Sequence, residues 1–335
     1  MKHKIILSAI FPLLLTQASA INIVLDFDTH SSAFFNDATN GATARAAVQA
    51  AANDISSAIT TSLNTLPTDR VFNGTSGGTT YTYTTTFRYT NPNTGATVDF
   101  TDSLGADEFK IYVGARSLAD STLGQGGPGS GFISNLGRSG PASNQAAADI
   151  ASSNTSLITA RGGGISQRTS SGSFDSVTYS ADFAPALGNL WFDSDGSTNW
   201  HYDHTDSNVI GLDLYSVALH ETLHSLGIGT YDAWDNEVSG TDWTGSEAIA
   251  LYGTGTGLID SGGSHIASSI MSTRLSDGVA QEVVMDPNIT TGTRKELTDL
   301  DLAFLRDIGW QTVPEPSSTL LIGLGSFALI LRRKK

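Results

Sequence analysis

His220-Glu221-Thr222-Leu223-His224 sets two histidines four residues apart with a glutamate between them, and these types at this spacing can do chemistry. On a helix, residues at i and i+4 share a face. Both imidazoles then project side by side and can hold one zinc ion through ring nitrogens. Glu221 lies about 60° around the helix from His224, so its carboxylate sits beside the ion rather than on it. A zinc-bound water has its pKa lowered to about 7. A carboxylate within reach can take the proton as the water attacks a peptide carbonyl, then pass it to the leaving amine. Leu219, Leu223 and Leu226 recur at i, i+4 and i+7 on an adjacent face and predict that the helix is pinned to the core. The bland alternative is two incidental histidines on an amphipathic helix. Here one face packs while the next is free to bind.

Gly227 extends the match to H-E-x-x-H-x-x-G, where glycine can end the helix with positive φ. This extended motif resembles the metzincin zinc metallopeptidases. Most metzincins carry the third ligand three residues after that glycine, which here is Thr230, a poor zinc ligand. The order that follows resembles the leishmanolysin branch and its bacterial relatives: Trp243 to Ala248, Tyr252-Gly253, Gly262-Gly263-Ser264-His265, Val283-Val284-Met285-Asp286-Pro287, then a helix over Asp299 to Ile308 and Gly309-Trp310. In that branch an insertion separates the helix from a third histidine in a Gly-Ser-His context. The resemblance implies that His265 is the third zinc ligand, that Met285 is the Met-turn residue under the metal, and that the activity is endopeptidase. It covers 212–310; the N-terminal part fits only as a generic metzincin subdomain. Ile266 replaces the usual tryptophan after the third histidine, and the absence of cysteine excludes a cysteine-switch latency. Rival third ligands are Asp232 and Asp235 just past the helix, Glu247 or Glu282 in a gluzincin arrangement, and His201 and His204 before it. Met271 reads as a packing residue.

The elements that must position these groups follow from periodicity. Ile21, Ile23, Leu25 and Phe27 alternate as a half-buried strand. Val48, Ala52, Ile55, Ile59 and Leu66 predict a helix over 42–66, ended by Pro67. Residues 71–101 read as a hairpin turning at Asn91-Pro92-Asn93-Thr94-Gly95, and Phe109, Ile111 and Val113 as another strand. The glycine-rich stretch 124–138 lacks the Gly-Lys-Ser/Thr ending of a phosphate loop and reads as a surface loop. Residues 141–160 are weakly helical. Gly188 to Asp193 is a strand, and its Leu190, Trp191 and Phe192 are the candidate edge on which a metzincin pairs an extended substrate. Asp193 and Asp195, before Gly196, are candidate Ca²⁺ ligands or a plain turn. Thr298 and Asp301 approximate a capping box. The expected fold is α+β, a metzincin-like zincin. A twisted mixed sheet with helices fills 21–227, including the active-site helix. A loop-rich C-terminal subdomain over 228–312 carries the Met-turn and final helix.

Both ends read as addresses. Residues 1–20 have Lys2 and Lys4, a short apolar run and Ala18-Ser19-Ala20, the pattern of a secretory signal peptide. Residues 313–335 hold Pro314-Glu315-Pro316, an apolar run and Arg332-Arg333-Lys334-Lys335, which resembles the PEP-CTERM sorting signal of Gram-negative bacteria. The run is shorter than a comfortable span, which favours processing over a plain anchor. The implied partners are signal peptidase, exosortase-type machinery and a protein or peptide substrate, with membrane contact through the tail. Without the ends, the net charge moves from −15 to −20, so nucleic acid is excluded as a partner. Zero cysteines exclude disulfides, thiolate metal sites and cysteine nucleophiles. The expected function is a secreted zinc endopeptidase; the alternative is a zinc-containing surface or matrix binding protein without peptidase activity.

Overall fold

The computed structural model describes residues 21–76, 79–140, 161, 165–174 and 177–313. The expected signal peptide, the weak helix over 141–160 and the tail beyond Val313 lie outside the described residues.

The fold is a mixed α+β arrangement. Its centre is a four-stranded sheet of β1 (Asn22–Asp26), β5 (Glu108–Arg116), β10 (Leu187–Asp193) and β6 (Gly124–Pro128), in that order. The first three strands are parallel and β6 runs antiparallel to β10. Phe109, Ile111 and Val113 are fully buried, and every residue of β10 is buried or nearly so. A near-continuous apolar run is what a strand covered on both faces requires.

Helix α1 (Gly41–Ala58) packs on this sheet and on α2 (Leu214–Ser225), the helix that carries the histidines. It ends eight residues short of the expected boundary. The chain from Ile59 is extended because it finds strand-like partners instead: Ile59 bridges Thr312, Thr60 N–H donates to Gln311, and Leu66 bridges Leu104. β-branched Ile59, Thr60 and Thr61 favour that choice.

Two expectations are corrected here. The glycine-rich stretch is not a surface loop; it forms β6 and β7 (Ser130–Ser139). β6 lies directly on α2, and its glycines are the condition for that approach. A Cβ on Gly126 would overlap the Glu221 backbone carbonyl, and one on Gly124 would sit 3.0 Å from the Glu221 Cγ. Leu190, Trp191 and Phe192 are not an edge. They pair with Val113–Ala115 of β5 on one side and with Gly124–Gly126 of β6 on the other. The edge strand is β6, which reads as a loop because the packing against α2 removed its side-chain alternation.

The expected hairpin is larger than 71–101. Strands β2 (Val71–Ser76), β3 (Thr79–Thr90) and β4 (Thr97–Phe100) form a meander, and β7 pairs with the other side of β3. Tyr89 stacks on Tyr112 at 3.6 Å, joining this outer sheet to the central one. Strands β8 (Arg168–Phe174) and β9 (Val177–Phe183) pair as a further hairpin.

Below α2 come two short pairings: β11 (Trp200–His201) with β12 (Leu212–Asp213), and β13 (Val238–Ser239) with β14 (Asp242–Trp243). The rest is α3 (Asp232–Asp235), α4 (Ser246–Tyr252), β15 (Met271–Thr273) paired to β16 (Ala280–Glu282), and α5 (Asp299–Asp307). Trp234, Trp243 and Phe304 stack at 4.4–5.5 Å in its centre. One hydrophobic core runs from α1 through the sheet and α2 into this cluster.

Candidate metal centre

α2 is held at both ends by groups distant in sequence. Asp213 caps its start, accepting from the Ser216 N–H at 3.1 Å and the Ser216 hydroxyl at 2.6 Å. The same carboxylate, fully buried, pairs with Arg294 at 2.8 Å. Arg294 also donates to the carbonyls of Asp203, His204 and Asp206, so one guanidinium ties that loop to the helix start. At the far end Gly227 turns the chain with φ +114°, and a Cβ there would overlap the Tyr231 ring. Trp310 donates its indole N–H to the Leu226 carbonyl at 2.7 Å, and Thr230 its hydroxyl to the His224 carbonyl at 2.6 Å. Thr230 therefore closes the helix. Leu219, Leu223 and Leu226 are fully buried, so the apolar face fixes the rotation of the ligand face.

The structure brings His220, His224 and His265 together. One ligand atom from each lies within 4.8 Å of the others, and among the described residues no other group of three His, Cys, Asp or Glu does this. His220 Nδ1 lies 2.9 Å from the Val284 carbonyl, and His224 Nδ1 lies 2.7 Å from the Ile228 carbonyl. A carbonyl only accepts, so both Nδ1 atoms carry hydrogen and both Nε2 atoms present lone pairs. His265 Nδ1 faces the Asp260 carboxylate at 3.7 Å. His224 Nε2 and His265 Nε2 are 3.2 Å apart. That is a spacing two ring nitrogens on one ion can take, so the donor set fits a metal ion.

Burial lowers the pKa of all three rings. His224 falls to about 4, with the neighbouring His265 adding to the effect. His220 falls well below its usual value through burial and the His224 ring. His265 falls through burial, opposed by Asp260. At neutral pH all three are neutral and able to ligate.

Glu221 is 7% exposed, wedged between α2 and the glycines of β6. Burial pushes its pKa up to about 8, and a hydrogen bond from the Gly126 amide opposes that rise. The group opens on a cleft of about 1090 Å³, whose walls include Gly124, Trp191, Val217, Asn288 and Lys295. A carboxylate with a raised pKa in such a cleft is poised to exchange protons near neutrality.

The other residues singled out from the sequence fall elsewhere. Met285 is fully buried, one residue past the carbonyl that His220 uses. Met271 is exposed rather than packed, because β15 lies at the surface. Asp232 accepts the Thr169 N–H, Glu247 pairs with Arg306, Glu282 pairs with Lys295, and His201 contacts the Asp203 carbonyl. His204 stacks on Tyr215. Neither these nor Asp235 joins the histidine group. Asp193 accepts from the Leu118 N–H and the Thr198 hydroxyl, and Asp195 from the Ser197 N–H. Those carboxylates brace a turn, and among the described residues no third acidic group gathers around them.

Sequence reasoning missed four supports of the site: Gly126, Asp260, Arg294 and the second role of Asp301. Thr298 and Asp301 form a full capping box on α5. The same Asp301 carboxylate, fully buried, also accepts the N–H groups of Val284 and Met285 at 3.2 and 3.3 Å. It thereby holds the turn whose carbonyl orients His220. The capping spacing was visible; the second use was not.

A PEP-CTERM protein-sorting motif matches residues 312–335. The protein is therefore an exported one, sorted to the surface or membrane of Gram-negative bacteria, and exosortase-type machinery is its implied partner. No curated protein and no solved structure matches the chain. Among the described residues no helix is long and apolar enough to cross a membrane.

Proposed function

We propose that this protein is an exported zinc endopeptidase of metzincin type. The observation that carries the reading is one constellation: three histidines with converging ring nitrogens, and beside them a buried carboxylate opening on a cleft. Bound by His220, His224 and His265, zinc supplies the Lewis acidity that makes water nucleophilic at neutral pH and polarises a carbonyl. Glu221 takes the proton of the attacking water and returns it to the leaving amine. β6, the edge strand of the central sheet among the described residues, offers an edge on which an extended peptide adds as a strand. In the leishmanolysin-like reading Met285 underlies the ligands, and Asp301 keeps it there.

The second reading is a surface or matrix binding protein with structural zinc. Structural sites are closed by four protein ligands; among the described residues the group has three, and all three line the cleft. The test is hydrolysis of an unfolded polypeptide by the wild type, a chelated sample and Glu221→Ala. The wild type is expected to cleave, chelation to abolish cleavage and added zinc to restore it. Glu221→Ala should keep its zinc and lose about 10²- to 10⁴-fold in rate. An active Glu221→Ala would refute the role of Glu221. An inactive wild type with zinc bound would favour the binding protein.

A further inference from the structure

His220 and His224 stand on a helix, but His265 stands on a loop, and a ligand on a loop needs its own support. We infer that Asp260 is the positioning residue of the third ligand, one oxygen building the loop and the other selecting the tautomer of His265. This rests on the reading of the histidine group as a metal site.

The two oxygens divide the work. Asp260 Oδ1 accepts the N–H groups of Ser264 and His265, both at 3.1 Å. Oδ2 faces His265 Nδ1 at 3.7 Å. The backbone closes the same circle: the Asp260 N–H donates to the His265 carbonyl at 3.0 Å, and Ile259 bridges Ile266. Gly263 turns the loop with φ +78°, and its carbonyl takes the Trp234 indole N–H at 2.8 Å. From the other side Gly229 lies so close that a Cβ would overlap the Ser264 carbonyl. The loop is therefore clamped between the aromatic cluster and the end of α2.

The carboxylate's charge has a further consequence. The ligand rings on the helix keep their Nδ1 hydrogen through neutral carbonyls. The corresponding partner of His265 is an anion. An anion opposite Nδ1 stabilises the hydrogen there and leaves the lone pair on Nε2, the atom 3.2 Å from His224. It also makes His265 the most electron-rich donor of the three.

Asp260→Asn separates the two roles. The Ser264 and His265 amides require an acceptor, so the asparagine oxygen must take the Oδ1 place. Its NH₂ then faces Nδ1, donor against donor, which drives the ring hydrogen to Nε2 and blocks ligation. Asp260→Ala loses the loop contacts but imposes no tautomer. Metal-free Asp260→Asn is expected to melt like the wild type, while Asp260→Ala melts lower. Zinc affinity, measured by competition with a chelating dye, should fall about 10- to 100-fold in Asp260→Ala and further in Asp260→Asn. The visible band of the Co²⁺-loaded protein should shift in both. A wild type binding metal, with Asp260→Asn unchanged in affinity and spectrum, would overturn the inference alone. A wild type that takes up no metal would overturn the metal reading and this inference with it. Should the variants fail to fold, ¹⁵N resonances of the zinc-loaded wild type decide. His265, assigned through a His265→Ala sample, should bind through Nε2 and keep its hydrogen on Nδ1; ligation through Nδ1 would overturn the inference.

Discussion

The two banks of the cleft are built by opposite means. The upper bank, β6, is held against α2 by the absence of side chains at Gly124 and Gly126. The lower bank, the irregular chain from 258 to 310, is held by buried or half-buried carboxylates that each gather several backbone N–H groups. Asp260 takes those of Ser264 and His265, Asp286 those of Ser269 and Asn288, and Asp301 those of Val284, Met285 and Thr298. Asp307 takes those of Glu247 and Ala248, capping α4 from sixty residues away. A strand can meet its hydrogen bonds within a sheet. Outside the short β15–β16 pair and α5 this bank has no ladder, so its amides need acceptors placed one by one. The upper bank should therefore tolerate no added atom, and the lower bank no lost carboxylate.

The largest expected effect comes from breaking the upper bank. Gly126→Val puts a branched side chain into the Glu221 backbone, which should displace β6. Misplacement of that order costs about 100-fold in activity, and the overpacking about 1–3 kcal/mol in stability. A variant with normal kinetics would show that β6 and α2 can separate freely. On the lower bank, Asp301→Ala strands the amides of Val284 and Met285 and removes the α5 cap. The expected loss is about 4 kcal/mol in a denaturant titration, with weaker metal binding because the carbonyl partner of His220 comes loose. A stable variant with normal metal affinity would mean that the turn holds itself.

The third prediction sharpens the comparison at Glu221, where the banks meet. Burial raises its pKa from 4.5 to about 8. In the metal-free protein the folded state keeps a proton that the unfolded chain releases across that window. The Glu221 contribution to stability therefore falls as pH rises from 4.5 to 8, while the buried histidines, with lowered pKa values, contribute in the opposite sense. Glu221→Gln removes the Glu221 part alone. The chelated variant should exceed the chelated wild type by on the order of 3 kcal/mol at pH 7, and the two should converge near pH 4.5. A constant difference across pH would mean that the carboxylate is solvated.

Legibility in the sequence followed the same division. The i, i+4 pair and its leucine face were readable because a helix turns spacing into direction. His265 was not readable that way. Its place depends on a turn around Asp260 and on Gly229 and Trp234, none of which leaves a period, so only the family resemblance pointed to it. β5 and β10 were visible as apolar runs. β6 was hidden because the contact that makes it important also requires glycine, the residue that reads as loop. The early end of α1 was hidden because Ile59, Leu63 and Leu66 stay buried in extended chain as they would in a helix.

The support that Trp310 and Asp301 give to α2 has a consequence in time. Synthesis runs from the N-terminus, and the two helix histidines are made some ninety residues before the indole that closes the Leu226 carbonyl. The turn that orients His220 waits in the same way for Asp301. Until the last helix has docked, the chain holds the ingredients of the centre without its geometry. A nascent or truncated copy is in this sense its own safeguard: it is complete in composition before it is complete in shape.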